Sequence, residues 1–395
     1  MIESASTIRL DKNTIHKVIF SVFLFFALFT PSDSLGIKLS SFIILLLMNI
    51  SVLLNFLLNK KNLYFLFFIV IFPLLLGCIS LLKNPNIVET IRYFYIFFYL
   101  LLIPICQKRD INYTSVFIRI LNILTLIIVL SSLFDAVGIL SIANNPLLTF
   151  LQEREEAKIS VSQYAIFYYV VFLNASPLIL IAFSYHLFKG NKIWSVLSLL
   201  ALMFSGTRAN IYFGLMVLGI YIFFNSKLKF AKPLILTILI LLLIRYSGTF
   251  FEKVEVINWA KSSGDNIRSL NINSIFEELN KNPIGYIFGL GARTFYFSTG
   301  RMKYVNESEL TYLELLRQIG LVGLLPLIYF WLKPLFFFIK NKRNFWLIVS
   351  FALYLVKSAI DPFLFTSTGF LLVTLVYFEY ENIRQKRSGN DFLRF

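Results

Sequence analysis

The sequence predicts an all-α polytopic membrane protein: a single integral membrane domain over residues 1–395, with about twelve transmembrane helices and one large loop on the outer face. Three observations lead there. Hydrophobic residues make up 58% of the chain and charged residues 15%, with a mean hydropathy of +0.76, which is not the balance of a soluble domain. Apolar runs of bilayer-spanning length, about 20 residues each, recur from one end to the other. Lysine and arginine gather in alternate connections, as they do in the cytoplasmic loops of membrane proteins.

Taken in order, the spans fall near residues 15–32, 36–58, 62–82, 90–106, 113–140, 161–188, 192–206, 208–226, 232–249, 311–332, 344–360 and 363–380. The first follows Arg9, Lys12 and Lys17, and its apolar stretch Val18–Phe29 runs into Thr30, Pro31 and Ser32 without a small-residue cleavage pattern. It reads as a retained signal anchor. Lys60 and Lys61, Lys108 and Arg109, Lys189 and Lys192, and Lys227, Lys229 and Lys232 then fall on one side. So do Lys340, Lys342 and Arg343, and the tail Arg384, Lys386 and Arg387. Both termini are therefore expected in the cytoplasm, with no helix inverted. The same asymmetry accounts for the net charge of +16, and no basic stripe interleaved with aromatics suggests a nucleic-acid partner.

Two segments of substance fall on the outer side. The smaller, residues 141–160, carries Asn144-Asn145-Pro146 and the cluster Glu153-Arg154-Glu155-Glu156. That cluster reads as a solvated loop or short helix, with substrate guidance as the alternative. The larger, residues 250–310, holds Ile272, Ile275, Phe276 and Leu279 at i, i+3, i+4, i+7 spacing. The spacing predicts a short amphipathic helix ending at Asn282-Pro283, lying flat on the membrane or roofing a cavity. Gly285, Gly289 and Gly291 follow, where the backbone is either flexible or tightly turned. The next span opens at Asn306-Glu307-Ser308-Glu309.

The chemistry is expected in the larger loop. Arg268, Arg293 and Arg301 stand there against the positive-inside bias, and a phosphate or pyrophosphate group on a substrate is the leading reason for them. Each alone is equally an ordinary surface charge. Arg208 lies in Ser205-Gly206-Thr207-Arg208-Ala209-Asn210; if Thr207 caps the helix that follows, free N–H groups and a guanidinium make an anion site. The alternative is an arginine that snorkels to the interface. Arg92, one turn after Glu89, either pairs with it along the helix or lines a cavity.

Glu307 and Glu309 are the candidate general bases beside these arginines. Their plainer reading is that carboxylates favour a helix start through its dipole. With a helix starting near Ser308, Glu309 would project from it and Glu307 would precede it on a more mobile segment, so Glu309 rather than Glu307 is expected to act as the base or to orient the acceptor. Glu314 and Arg317, three residues apart, are expected to pair with each other. Cys78 and Cys106 are expected near opposite faces, so no disulfide is predicted. His16 and His186 fall at cytoplasmic ends, leaving the outer face without His or Cys, which argues against a metal site there. No Gly-rich nucleotide loop and no Ser-His-Asp set can be assembled, so no cofactor is expected.

Three stretches carry a family resemblance: Ser205–Asn210 opening a span, the loop run Asn282-Pro283-Ile284-Gly285-Tyr286-Ile287-Phe288-Gly289-Leu290-Gly291, and ELTYLELLRQIGLVGLL from Glu309 to Leu325. They resemble the Wzy-type O-antigen and capsule polymerases, relatives of the O-antigen ligases. The span count and the single late outer loop agree with that group over nearly the whole chain, although the sharp motifs cover a small part of it. Ligases of the superfamily carry a histidine just ahead of the span that follows the loop. Here Asn306-Glu307-Ser308-Glu309 occupies that place, which favours a polymerase and leaves the base to a carboxylate.

The resemblance implies a fold like the C-type membrane glycosyltransferases of the polymerase and ligase group, in the bacterial inner membrane. It implies a metal-independent glycosyltransferase that joins oligosaccharide repeats carried on undecaprenyl pyrophosphate at the outer leaflet. Its partners would be that lipid-linked oligosaccharide, membrane lipid and a chain-length regulator. Two other readings stay open. One is an O-antigen ligase transferring polymer to lipid A-core. The other is a lipid-linked oligosaccharide flippase, whose cations should line a central cavity with no need of a large outer loop.

Overall fold

The structure, a computed structural model, describes residues 12–33, 35–83, 86–161, 169–205, 207–224, 233, 254–359 and 362–388. Over these the chain is mostly helical. α1 (Lys12–Phe29), α2 (Ile37–Met48) and α3 (Ile50–Leu58) lead into α4 (Lys60–Lys83), α5 (Ile87–Lys108) and α6 (Tyr113–Ala136). α7 (Pro146–Glu153) precedes an antiparallel hairpin of β1 (Ala157–Val161) and β2 (Tyr169–Leu173). α8 (Ile179–Lys189), α9 (Lys192–Phe204) and α10 (Arg208–Phe224) follow. Next come α11 (Val254–Lys281), the single turn α12 (Gly285–Phe288) and a second hairpin of β3 (Tyr296–Ser298) and β4 (Lys303–Val305). Last in order are α13 (Thr311–Asn341), α14 (Phe345–Lys357) and α15 (Ser367–Ser388).

Four described helices, α4, α5, α6 and α13, are long and apolar enough to cross a membrane. α2 and α3 make a fifth if the 71° bend between them lies inside one span. α1, α9, α10 and α14 are apolar but shorter. These are the features of an all-α membrane protein. The bend between α2 and α3 has a visible cause. Asn49 is fully buried there, donates through Nδ2 to Leu45 O at 2.8 Å, and accepts from Arg109 Nε at 2.8 Å. A side chain bonding to the helix backbone in this way deflects it.

The core runs through the middle of the bundle. Phe23 of α1 packs edge-on against Tyr99 of α5 at 5.6 Å, and Phe97 of α5 against Phe370 of α15 at 4.7 Å. α15 is buried on every side from Phe370 to Phe378. A helix apolar all round in that stretch belongs at the centre, not at the rim. The expected span at 363–380 thus corresponds to a helix that starts at Ser367.

Two expectations about spans are corrected. Residues 161–188 do not form one helix: Tyr169–Leu173 is a strand paired with Ala157–Val161, and helix α8 begins only at Ile179. Hydropathy registers the apolar run but not its period, and Val170, Val171 and Phe172 are residues that favour strands. Pro177, which has no backbone N–H, then sits in the 3-10 turn Ser176–Leu178 just ahead of the helix. Second, α13 is broken at Gly320, where φ is 64° and ψ is −175°. Most of the expected span 232–249, and the end of 208–226, lie outside the described residues.

The acidic cluster after α7 also resolves into structure. Glu156 is buried, accepts from the Ser32 N–H at 2.8 Å and from its hydroxyl, and accepts from Asn174 Nδ2 at 3.1 Å. It ties the segment between α7 and β1 to the turn between α1 and α2. Cys78 and Cys106 are free, as expected, one exposed and one buried.

The break at Gly320 generates a prediction. A Cβ there would lie 2.3 Å from Ile287 O and 2.4 Å from Gly289 N, whereas Gly190, also at positive φ but with ψ of 14°, has open space around it. Gly190→Ala should cost about 1–2 kcal/mol of backbone strain alone. Gly320→Ala adds overlap with backbone that cannot step aside and should cost about 3–5 kcal/mol. Thermal unfolding of the two purified variants in detergent should show the second falling clearly further. Equal losses would mean that the loop does not pack against the break.

Candidate functional site

A cavity of about 780 Å³ opens between the first turn of α2, the first half of α5 and the first turns of α13. Its wall is aromatic on one side, through Phe42, Tyr93, Tyr95, Tyr99 and Phe365. The charged groups on it are Asp33, Lys38, Arg92, Arg293, Glu307 and Glu314.

Sequence sets up the cationic part locally. Asn86 caps α5, accepting from Glu89 N at 3.2 Å, which places Glu89 in the first turn where the helix dipole favours a carboxylate. One turn on, Arg92 Nη1 lies 3.4 Å from Glu89 Oε1. Arg293 reaches the same carboxylate from the segment between α12 and β3, Nη1 to Glu89 Oε2 at 2.7 Å, and its Nη2 meets Glu307 Oε1 at 3.0 Å. Both readings of Arg92 therefore hold: it pairs with Glu89 and it lines the cavity. The second role of Glu89, as partner of Arg293, has no signal in the sequence, because 204 residues separate the two.

The loop that brings Arg293 here has a small core of its own. Ile275 and Leu279 of α11 bury against Tyr296 and Val305 of the hairpin, with Leu313 and Leu316 of α13 alongside. The helix predicted to end at Asn282-Pro283 ends at Lys281, but it starts as early as Val254. Its buried stripe also differs from the expected one. Phe276 is exposed, while Asn271 and Ser274 are buried and bond to the hairpin: Ser298 to Asn271, and Ser274 to Thr299 at 2.8 Å. Polar residues that bury by bonding to a neighbouring turn escape a search for apolar periodicity. Of the three loop glycines, Gly289 and Gly291 occupy left-handed backbone, so the tight-turn alternative holds.

The predicted site residues divide into two groups. Arg92, Arg293 and Glu307 face the cavity. Arg268, Arg301 and Glu309 form a separate cluster, with Arg301 Nη2 at 2.9 Å and Arg268 Nε at 3.9 Å from the Glu309 carboxylate. Glu309 is also not on the helix. α13 begins at Thr311, and the Ser308 hydroxyl accepts from Leu310 N at 3.0 Å, holding the preceding residues in a turn. Both glutamates therefore precede the helix, and the positional argument that favoured Glu309 lapses. At the other candidate, Thr207 does cap α10, its Oγ1 accepting from Asn210 N at 3.3 Å, and Asn210 Nδ2 donates to Ser205 at 2.8 Å. The Arg208 side chain lies outside what is described.

Partial burial, with 48% of the side chain still exposed, raises the Glu307 carboxyl above the ordinary range; Arg293 opposes the shift, and Glu314 and Glu89 add to it. Tyr296, beneath the loop, is pushed up to about 12, chiefly by burial, and stays a neutral phenol. The cavity can therefore receive an anion on Arg92 and Arg293 while a carboxylate of increased basicity waits beside them. Comparison with protein-family models, curated proteins and solved structures returns no match to this chain.

The carboxyl titration is directly measurable. Infrared difference spectra of wild type against Glu307→Gln should isolate one carboxyl that ionises above the ordinary range. In Arg293→Ala the lowering influence is gone, so that carboxyl should ionise at still higher pH. A shift to lower pH in Arg293→Ala would mean that Glu307 and Arg293 do not share a site.

Proposed function

We propose that the protein is a metal-independent glycosyltransferase that polymerises oligosaccharide repeats carried on undecaprenyl pyrophosphate, forming O-antigen or capsular polysaccharide. The observation that carries this reading is the cavity, which two arginines, a carboxyl of raised pKa and several aromatic rings line together inside a bundle of apolar helices. In this reading the chain crosses the bacterial inner membrane about twelve times, with both termini in the cytoplasm and residues 250–310 outside. The Lys/Arg asymmetry of the loops supports that orientation.

The chemistry follows from the parts. A hydroxyl of the acceptor repeat attacks the anomeric carbon of the donor's first sugar, and the bond from that carbon to the pyrophosphate oxygen breaks. The acceptor's proton passes to Glu307, the candidate base that lines the cavity, whose raised pKa makes it more basic than an ordinary carboxylate. The lipid pyrophosphate leaves with both electrons of the broken bond, and Arg92 and Arg293 hold its charge. One such preorganised donor is worth about 3–4 kcal/mol of barrier. Pyrophosphate is already a good leaving group, so guanidinium groups suffice. Aromatic rings of the same cavity offer apolar faces to sugar rings. Arg268 and Arg301, with Glu309, form an outer cluster suited to guiding the anion inward, and Arg208 remains a further candidate for holding it.

Deleting the gene and running the surface polysaccharide on a gel separates this from the alternatives. Loss of a polymerase leaves a single-repeat species, and complementation with Arg293→Ala should not restore the ladder although the protein accumulates. Unattached polymer on the lipid carrier would indicate a ligase, and absence of exported repeats a flippase.

The orientation has its own check. Met302 is 76% exposed in the β3–β4 turn, so Met302→Cys should react with an impermeant reagent in cells whose inner membrane is intact. Reaction only after that membrane is broken would refute an outer-face site.

A further inference from the structure

We propose that Gln318 is a positioning residue: its buried amide sets the backbone of Arg293 and so aims that guanidinium into the cavity. The inference rests on the reading of Arg293 as the group that binds the substrate's anion.

Arg293 has φ of 53°, a left-handed conformation that an arginine keeps only where its surroundings impose it. The bond on its own backbone comes from Gln318, whose Oε1 accepts from Arg293 N at 3.2 Å. The other end of the same amide donates to Asn306 O at 3.3 Å and to Glu314 Oε1 at 2.5 Å. The orientation is thereby fixed by chemistry: the oxygen faces a donor and the nitrogen faces two acceptors, and turning the amide over would break all three bonds. Gln318 is 1% exposed. It thus joins the residue that carries the cavity's cation to the residue just ahead of Glu307.

Arg317 reinforces the arrangement from the neighbouring position on α13. It is fully buried, donates through Nη1 to Thr294 Oγ1 at 2.8 Å and through Nη2 to Asn306 O at 3.3 Å, and lies over the Tyr296 ring at 4.5 Å. Its charge is matched by Glu314 at 2.5 Å. Thr294 follows Arg293 and Asn306 precedes Glu307, so two adjacent side chains grip both ends of the charged pair. Nothing in this grip touches the space a ligand would fill except Glu314 and Gln318 at its edge.

A network that serves stability alone would lower the unfolding temperature and leave the anion affinity of the folded protein unchanged. The two roles are separated by a double-mutant cycle on the purified full-length protein in detergent, with inorganic pyrophosphate as the probe and calorimetric titration as the readout. Gln318→Met keeps the volume and removes the amide. It should weaken pyrophosphate binding about tenfold, within the range for residues sharing one hydrogen-bond network. In an Arg293→Ala background the same change should have less than about a twofold effect, because the group it aims is gone. Thr294→Val, which keeps the shape but leaves Arg317 Nη1 without its acceptor, should weaken binding by a smaller factor and lose that effect in the same background.

Three outcomes overturn the proposal. Equal factors for Gln318→Met in both backgrounds would make its effect independent of Arg293. Unchanged binding in both Gln318→Met and Thr294→Val, with Arg293→Ala weakened, would leave the anion site standing and remove its positioning device. Unchanged binding in Arg293→Ala itself would sink the anion reading, and the positioning role with it.

Discussion

Two main-chain hydrogen bonds join the segment after α12 to helix α13, and the candidate site depends on them. Leu290 N donates to Arg317 O at 2.7 Å and Gly291 N to Gln318 O at 3.0 Å. In an unbroken helix those carbonyls would accept from Leu321 and Val322. The break at Gly320 turns them to the loop instead, so the helix's lost bonds and the loop's unpaired N–H groups satisfy one another. The approach is too close for any side chain: a Cβ on Gly289 would lie 2.2 Å from Gln318 O. Two glycines, 31 positions apart in number, thus create one joint, and Arg293 stands two residues beyond it.

Around the joint, the electrostatics follow a division of labour. Glu314 and Arg317 are buried together, and taking both charges out of water costs several kcal/mol that their attraction repays only with further hydrogen bonds. Thr294, Asn306 and Gln318 supply those bonds. Such a pair contributes specificity of arrangement more than stability. The cavity's own charges are differently balanced. Glu89 neutralises Arg92 and Arg293 in part, Glu307 takes the other side of Arg293, and Arg293 Nε is buried with no hydrogen-bond partner among the described residues. Arginines held only by carboxylates at a cavity wall can exchange those partners for a stronger anion.

Composition and loop charge made the membrane-helical class legible, because both follow from the bilayer as solvent. They were a poorer guide to element type. Tyr169–Leu173 has the hydropathy of a span and the residues of a strand, and only its pairing with Ala157–Val161 decides. Within the site, Arg92, Arg293, Glu307 and the Glu314–Arg317 pair could be read from the sequence, since charge is conspicuous in an apolar chain. Gln318 and Glu89 could not. Their importance comes from contacts 25 and 204 positions away, and a glutamine in a helix carries no signal of its own. The grouping of the loop arginines was equally illegible: Arg301 and Arg268 belong with Glu309, not with Arg293, because the hairpin and α11 turn them elsewhere.

The central claim is that the Arg92–Arg293 cavity, and not the outer arginine cluster, holds the pyrophosphate of a lipid-linked sugar. Photocrosslinking tests it most directly, with an undecaprenyl-type pyrophosphate carrying the reactive group next to the phosphates, followed by peptide mapping of the purified protein. The account predicts label within residues 87–99 and 311–318, which face each other across the cavity, and its loss when excess unlabelled lipid pyrophosphate is added. Competable label confined to residues 264–281, beside Arg268, would contradict it.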